Sequence, residues 1–165
     1  MLNVERERDN VRRQLLGRGI TCDLIYDTPY LDIGQDIRLA HSEHGLDFDF
    51  VEGLENLAQV LRITLTTPLG SDIFNIQFGF DGLNALAEES DPILTRERVR
   101  VSIIRLLQRE PRIRRIIDVQ FDGEGETETI DSSAAGLRHL NVYVTCEAVS
   151  GDETTTNITR LLPNV

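Results

Sequence analysis

Glu110 is the acid that this sequence places at an obvious structural corner, in Glu110-Pro111-Arg112. A carboxylate there could in principle move protons. The adjacent Arg112 favours its ionised form, which suits ion pairing better than general-acid work. The chain carries 28 Asp and Glu, so a glycosidase-type pair is nominally available, but abundance does not set two carboxylates across a sugar ring. His41 and His44 have i, i+3 spacing with no third ligand nearby, which reads as a solvated turn rather than a metal site. Cys22 and Cys146 match no zinc or redox spacing; two free structural thiols are expected, with a disulfide the open alternative. There is no G-x-S-x-G elbow and no Cys/His pairing signal, and Gly79-Phe-Asp-Gly82 is too short for a phosphate loop. These residues point away from catalysis and imply no metal and no cofactor.

The elements that must hold the corner run from Asp91 to Phe121. Asp91 is a good N-cap, and Pro92 suits the first helical turn, where a missing N–H costs nothing. Val99, Ile103, Leu106 and Leu107 follow at helical spacing. Pro111 disfavours helical geometry at Glu110, so the helix ends near Arg109. Ile117, Val119 and Phe121 then alternate with Asp118 and Gln120, as in a half-buried strand. The plain reading of the corner is a stop signal with solvated charges, since surface ion pairs are worth only ~0–1 kcal/mol.

The composition sets the class. At 165 residues with 40% apolar content, one domain with a real core is expected. No apolar run approaches the roughly 20 residues of a membrane helix, and the first residues lack the apolar stretch of a secretory signal. The net charge of −11 argues against a nucleic-acid binder. Charge is also polarised. Nine acids and one base, Arg38, lie between Asp23 and Glu55, whereas eight arginines face only Glu97 and Glu110 between Arg96 and Arg115. All basic residues are Arg, a side chain suited to bidentate contacts in packed interfaces.

The remaining pattern is α+β: a small mixed sheet, helices packed on one face, and a C-terminal β-hairpin. Residues 1–20 read as an N-terminal helical arm ended by Gly17 and Gly19, and residues 21–165 as a single domain. Tyr26, Tyr30 and Leu31 are expected to pin a connector to the body. Gln35–Ala40 and Leu46–Val51 alternate around a His-Ser-Glu-His-Gly turn, a hairpin with Leu46, Phe48 and Phe50 on one face. Leu54, Leu57, Ala58, Leu61 and Leu65 form a helical stripe, with Glu55, Gln59 and Arg62 opposite. Phe74, Ile76, Phe78 and Phe80 alternate like a loop anchored to the core. Leu83–Ala87 suggests a helical turn, and 122–136 a flexible acidic loop. Leu140, Val142, Val144, Cys146 and Ala148 alternate into a turn at Ser150-Gly-Asp. The Thr-rich stretch Glu153–Leu161, with Thr155, Asn157 and Thr159, is a natural edge strand.

Three features in order carry a resemblance: LENLAQVLRITLTTPLG (Leu54–Gly70), Phe78-Gly79, and Glu110-Pro111-Arg112 between helix and strand. Over roughly Asp32 to Tyr143 the chain resembles the lysozyme-like baseplate wedge proteins of contractile phage tails. That family includes the wedge subunit of type VI secretion systems and the sheath initiators of extracellular contractile injection systems. The resemblance implies a structural subunit without turnover, in multiple copies, six by the symmetry of such particles. Assembly would be in the cytoplasm, as part of a tail or injection-particle baseplate. Glu110, Pro111 and Arg112 would bind the core bundle of the larger wedge proteins. The strands bearing Leu140, Val142, Val144, Thr155, Asn157 and Thr159 would dock the first ring of sheath protein by strand addition. Tube or hub proteins are further partners; nucleic acid and membrane insertion are not implied. The family's Gly-Glu-Arg after the first helix is Gly70-Ser71-Asp72 here, a departure at a possible contact. The alternative reading is a peptidoglycan-cleaving, lysozyme-like enzyme.

Overall fold

The structure is a computed structural model and describes residues 2–24, 35–82, 92–121 and 138–162. The expectations for Tyr26, Tyr30, Leu31, Leu83–Ala87, Asp91 and 122–136 lie outside the described residues. Helix α1 (Leu2–Leu16) opens the chain, followed by short strands β1 (Arg18–Ile20), β2 (Cys22–Leu24), β3 (Gln35–Ile37), β4 (Leu39–Ser42), β5 (Gly45–Phe48) and β6 (Phe50–Glu52). Helix α2 (Gly53–Thr66), helix α3 (Pro92–Leu107) and strands β7 (Ile113–Phe121), β8 (Arg138–Ala148) and β9 (Glu153–Leu162) complete it. The architecture is α+β, with a C-terminal three-stranded antiparallel sheet in the order β7-β8-β9. All strand pairings among the described residues are antiparallel, and an isolated Pro68–Phe80 bridge is the parallel contact.

The core lies between the helices and one face of this sheet. Leu57, Leu61 and Leu65 of α2 meet Val99, Ile103 and Leu107 of α3 over Val142, Val144, Cys146 and Ala148 of β8. Each fully buried Leu or Ile contributes about 1.5–3 kcal/mol, so the helical stripes and the β8 alternation supply much of the stability. Burial pushes the Cys146 thiol up, and both cysteines are free. Strand β7 departs from simple alternation. A register shift between Ile116 and Asp118 leaves Ile117 exposed, while Ile116, Val119 and Phe121 pack inward. One extra residue in the strand flips the following side chain across the sheet.

The six short strands form a three-way junction. Thr21, Arg38 and Asp49 each sit at a kink, and their main chains close a ring: Thr21 N–H donates to Asp49, Asp49 to Arg38, and Arg38 to Thr21. Arg38 Nε donates to Asp49 Oδ2 at 2.7 Å, which lowers the Asp49 pKa. From this ring β4 and β5 project as the expected hairpin, but its apolar face with Leu39, Leu46 and Phe48 is exposed. Helix α2 secures the junction through Gln59, whose Nε2 donates to Ile20 O while its Oε1 accepts from Cys22 N–H. Gln59 is therefore buried, not on the solvent side that its helical position predicts, because its amide satisfies main-chain groups that strands leave open at a kink.

Helix α1 ends in the body. Gly17, at φ +79°, supplies the left-handed residue that closes the helix. Leu16 is fully buried, whereas most of the preceding two turns are exposed. Arg12 adds a forked tie to the turn between β8 and β9: Nε reaches Asp152 Oδ2 at 2.8 Å and Nη2 reaches Oδ1 at 2.6 Å. This tie, with a hydrogen bond from Ser150, holds the Asp152 pKa at about 2, below its ordinary 3.8. A depressed carboxyl stabilises the fold fully above its unfolded pKa and loses that contribution as pH falls toward the folded value. Stability should therefore fall between about pH 4 and about pH 2, in part through this pair. Chemical denaturation across that window should show a shallower slope for Asp152→Asn than for the parent; equal slopes would remove Asp152 from the acid response.

Candidate functional site

The corner is built by the stop of one element and the start of another. Beyond Leu107, Gln108, Arg109 and Glu110 donate their N–H groups to Ile104, Leu106 and Leu107, tightening the last turn. Pro111 contributes no N–H, and Ile113 N–H donates back to Glu110 O. Within the turn Arg112 folds onto Glu110. Its Nε donates to Oε1 at 2.7 Å and its Nη2 to Oε2 at 2.8 Å, while its own N–H reaches Oε1 at 3.2 Å. The third guanidinium nitrogen, Nη1, reaches the carbonyl of Leu16 at 3.3 Å. Arg112 O in turn accepts Val149 N–H, just past the end of β8.

This geometry sets the electrostatics. Hydrogen bonding to Arg112 lowers the Glu110 pKa and, from the other side, raises that of Arg112. The carboxylate is thus held ionised, the opposite of what a general acid at neutral pH requires. Both side chains are about four-fifths buried, so the pair is more than a rim contact. What the corner offers a partner is shape and a fixed, nearly neutral fork, because each guanidinium nitrogen already has an acceptor in this chain. Pro111 itself is exposed.

The predicted strand residues separate into two groups. Leu140, Val142 and Val144 lie on β8, the central strand, whose main chain pairs with β7 on one side and β9 on the other. Val142 and Val144 are buried in the core. Strand β8 therefore cannot accept another strand; it carries the edge strand instead. Thr155, Asn157 and Thr159 lie on β9, and among the described residues no strand pairs with its outer side. Thr155 and Asn157 are exposed, and the Thr155 and Thr145 hydroxyls meet at 3.0 Å. The register of β8 with β9 is unbroken from Arg138–Leu162 to Glu147–Glu153. The other edge, β7, carries register shifts at Ile113/Arg115 and Ile116/Asp118, and it borders a groove of about 1020 Å³ with α3. Bulges interrupt the row of groups that a new strand needs, so β9 is the better acceptor.

Beside the corner the expected core-anchored loop is present, but only half of its alternating apolar residues reach the core. Phe80 is buried and Phe78 half-buried as expected, but Phe74 and Ile76 point outward. Phe74 N–H donates to the Asp72 carboxylate, Asn75 N–H to Asp72 O, and Phe78 N–H to Asn75 O. These turns break the alternation that Phe74, Ile76, Phe78 and Phe80 suggest; Asp72 followed by Asn75 was the available signal. Gly79, at φ +108°, closes the loop where a Cβ would lie 2.7 Å from the carbonyl oxygens of Thr67 and Pro68. Among the described residues no group of three His, Cys, Asp or Glu converges on a possible metal position, and no helix is long and apolar enough to cross a membrane.

No family model matches this chain, and no curated protein matches it significantly. Among solved structures it is similar to a crystal structure from Geobacter sulfurreducens of a protein provisionally named a tail lysozyme. The two share 19% identity at a TM-score of 0.48, over 67% of this chain and 91% of that one. A likeness at this level does not carry a shared function.

Proposed function

We propose that the chain is a structural wedge subunit of a contractile tail or injection-particle baseplate, which anchors through the Glu110-Pro111-Arg112 corner and starts sheath assembly at β9. The observation that carries this reading is the outer edge of β9, a ten-residue strand with continuous register on one side and, among the described residues, no strand on the other. Strand addition uses main-chain hydrogen bonds and tolerates the polar side chains found there. The threonines and Glu153 keep such an edge soluble before its partner arrives. The ordered sequence features from Leu54 to Arg112 support the same reading, and at the corner Arg112 holds Glu110 in its ionised, ion-pairing form.

The geometry also links the two contacts. Arg112 O holds Val149, Asp152 holds Arg12, and Arg112 Nη1 holds Leu16, so the corner and the root of the β8–β9 hairpin share one set of bonds. A wedge protein bound at the corner would thereby fix the direction in which β9 presents its edge.

Two variants test this separately. Arg112→Ala leaves a largely buried carboxylate without its counter-charge and should cost about 1–3 kcal/mol in urea denaturation while the chain stays folded. Arg112→Lys should not restore incorporation into baseplates, because an ammonium cannot reproduce the fork. Normal incorporation of Arg112→Ala would remove the corner from partner binding. For the edge, Thr155→Lys with Asn157→Lys should leave incorporation intact but give particles without sheath, counted by negative-stain microscopy. Full-length sheaths on those particles would refute nucleation at β9.

A further inference from the structure

The loop between α2 and Phe80 exposes side chains that folding does not explain. Ile73, Phe74 and Ile76 are 80%, 94% and 69% exposed, and Leu69 is 42% exposed. The loop is ordered all the same. Leu69 and Phe80 exchange main-chain bonds with their neighbours across the Pro68–Phe80 bridge, Gly70 N–H donates to Phe78 O, and the Asp72 turns fix the tip. Three large apolar side chains carried into water on a hydrogen-bonded loop favour association and lower solubility. An exposed Phe with Ile neighbours is the kind of group that fills a partner's pocket. The same loop forms one wall of a cleft of about 420 Å³, through Asn75, Gln77 and Phe78. The facing wall is the end of α3, with Arg105 and Arg109. Both arginines are exposed, and neither has an ion-pair partner among the described residues.

The geometry points to a docking surface for a partner protein whose apolar pocket is flanked by carboxylates: Phe74 and Ile76 enter the pocket, and Arg105 and Arg109 take the acids. Charge selects this occupant. Apolar side chains alone would suit any greasy surface, but Arg105 and Arg109, across the cleft from Asn75, Gln77 and Phe78, favour a partner that brings carboxylates beyond Asp81 and the Arg112-paired Glu110 in the same lining, and a guanidinium can grip such a group bidentately. The surface does not depend on the β9 edge or on a tail role. It adjoins Glu110 and Arg112, which also line the cleft, so it would widen any contact made at the corner.

The test places p-benzoylphenylalanine at position 74 of the full-length chain, in cells that make the protein natively, with position 11 as the exposed control. After irradiation, mass spectrometry maps each adduct to a residue. The expected adducts join position 74 to one segment of a different protein, bearing apolar residues together with Asp or Glu. Arg105→Glu with Arg109→Glu should lower the yield at least about tenfold without moving the thermal midpoint, and exchanging the partner's acids for Arg should restore it. No adduct above the control, adducts to lipid or to the acidic β4–β5 hairpin of a second copy, or a yield indifferent to the charge reversals would overturn the proposal. Charge-dependent adducts to a protein outside any tail particle would support this surface and sink the baseplate reading. Normal sheathed particles without adducts would do the reverse.

Discussion

One carbonyl oxygen organises the functional end of this molecule. Leu16 is the last residue of α1, where a helix leaves its carbonyls without partners and its dipole negative. That oxygen receives Asn56 Nδ2 from α2 at 2.9 Å and Arg112 Nη1 from the corner at 3.3 Å. Glu110 fixes the other edge of the same guanidinium with two short bonds. A helix end, a helix face and a proline turn are therefore joined at a single point. Removing any one donor leaves a buried polar group short of a partner, which costs more than the hydrogen bond itself gains.

The rest of the fold follows from that point in two directions. Toward the N-terminal strands, Asn56 lies so close to Gly19 that a Cβ there would stand 2.6 Å from its Oδ1, so α2 and β1 meet without a side chain between them. One turn further along α2, Gln59 completes the junction where Thr21, Arg38 and Asp49 close their ring. Toward the C-terminus, Arg112 O fixes Val149, and β8 carries β9 outward with its core face buried and its far edge open. The surface proposed to act is thus held by interior bonds that are themselves nearly neutral in charge.

Much of this was legible in the sequence where local rules act alone. The proline pair bracketing α3, the stripes of α2 and α3, the alternation of β8 and the turn at Ser150-Gly-Asp each rest on neighbouring residues. What escaped depends on residues far apart. Arg112 finds Leu16 across 96 positions, and Asn56 finds the same oxygen across 40. No periodicity announces that a polar residue on a helix will be buried to satisfy a distant main chain. The arm expected at the N-terminus is exposed along much of its length, yet its final residue belongs to the core. Ile117 faces outward because a bulge shifts the pleat, and Phe74 because an aspartate turn redirects the loop. Val142 and Val144 lie with their side chains in the core, on a strand paired along both edges. Alternation shows that a strand exists, but not that it lies in the middle of its sheet.

The most direct measurement is cryo-electron microscopy of native particles purified through an N-terminal tag on this chain. The account predicts that the chain elutes with sheath, tube and wedge proteins, and that a strand from another chain extends the β7-β8-β9 sheet along the outer edge of β9. A chain that elutes alone where such particles are visibly made, or one assembled into them with β9 still facing solvent, would contradict it.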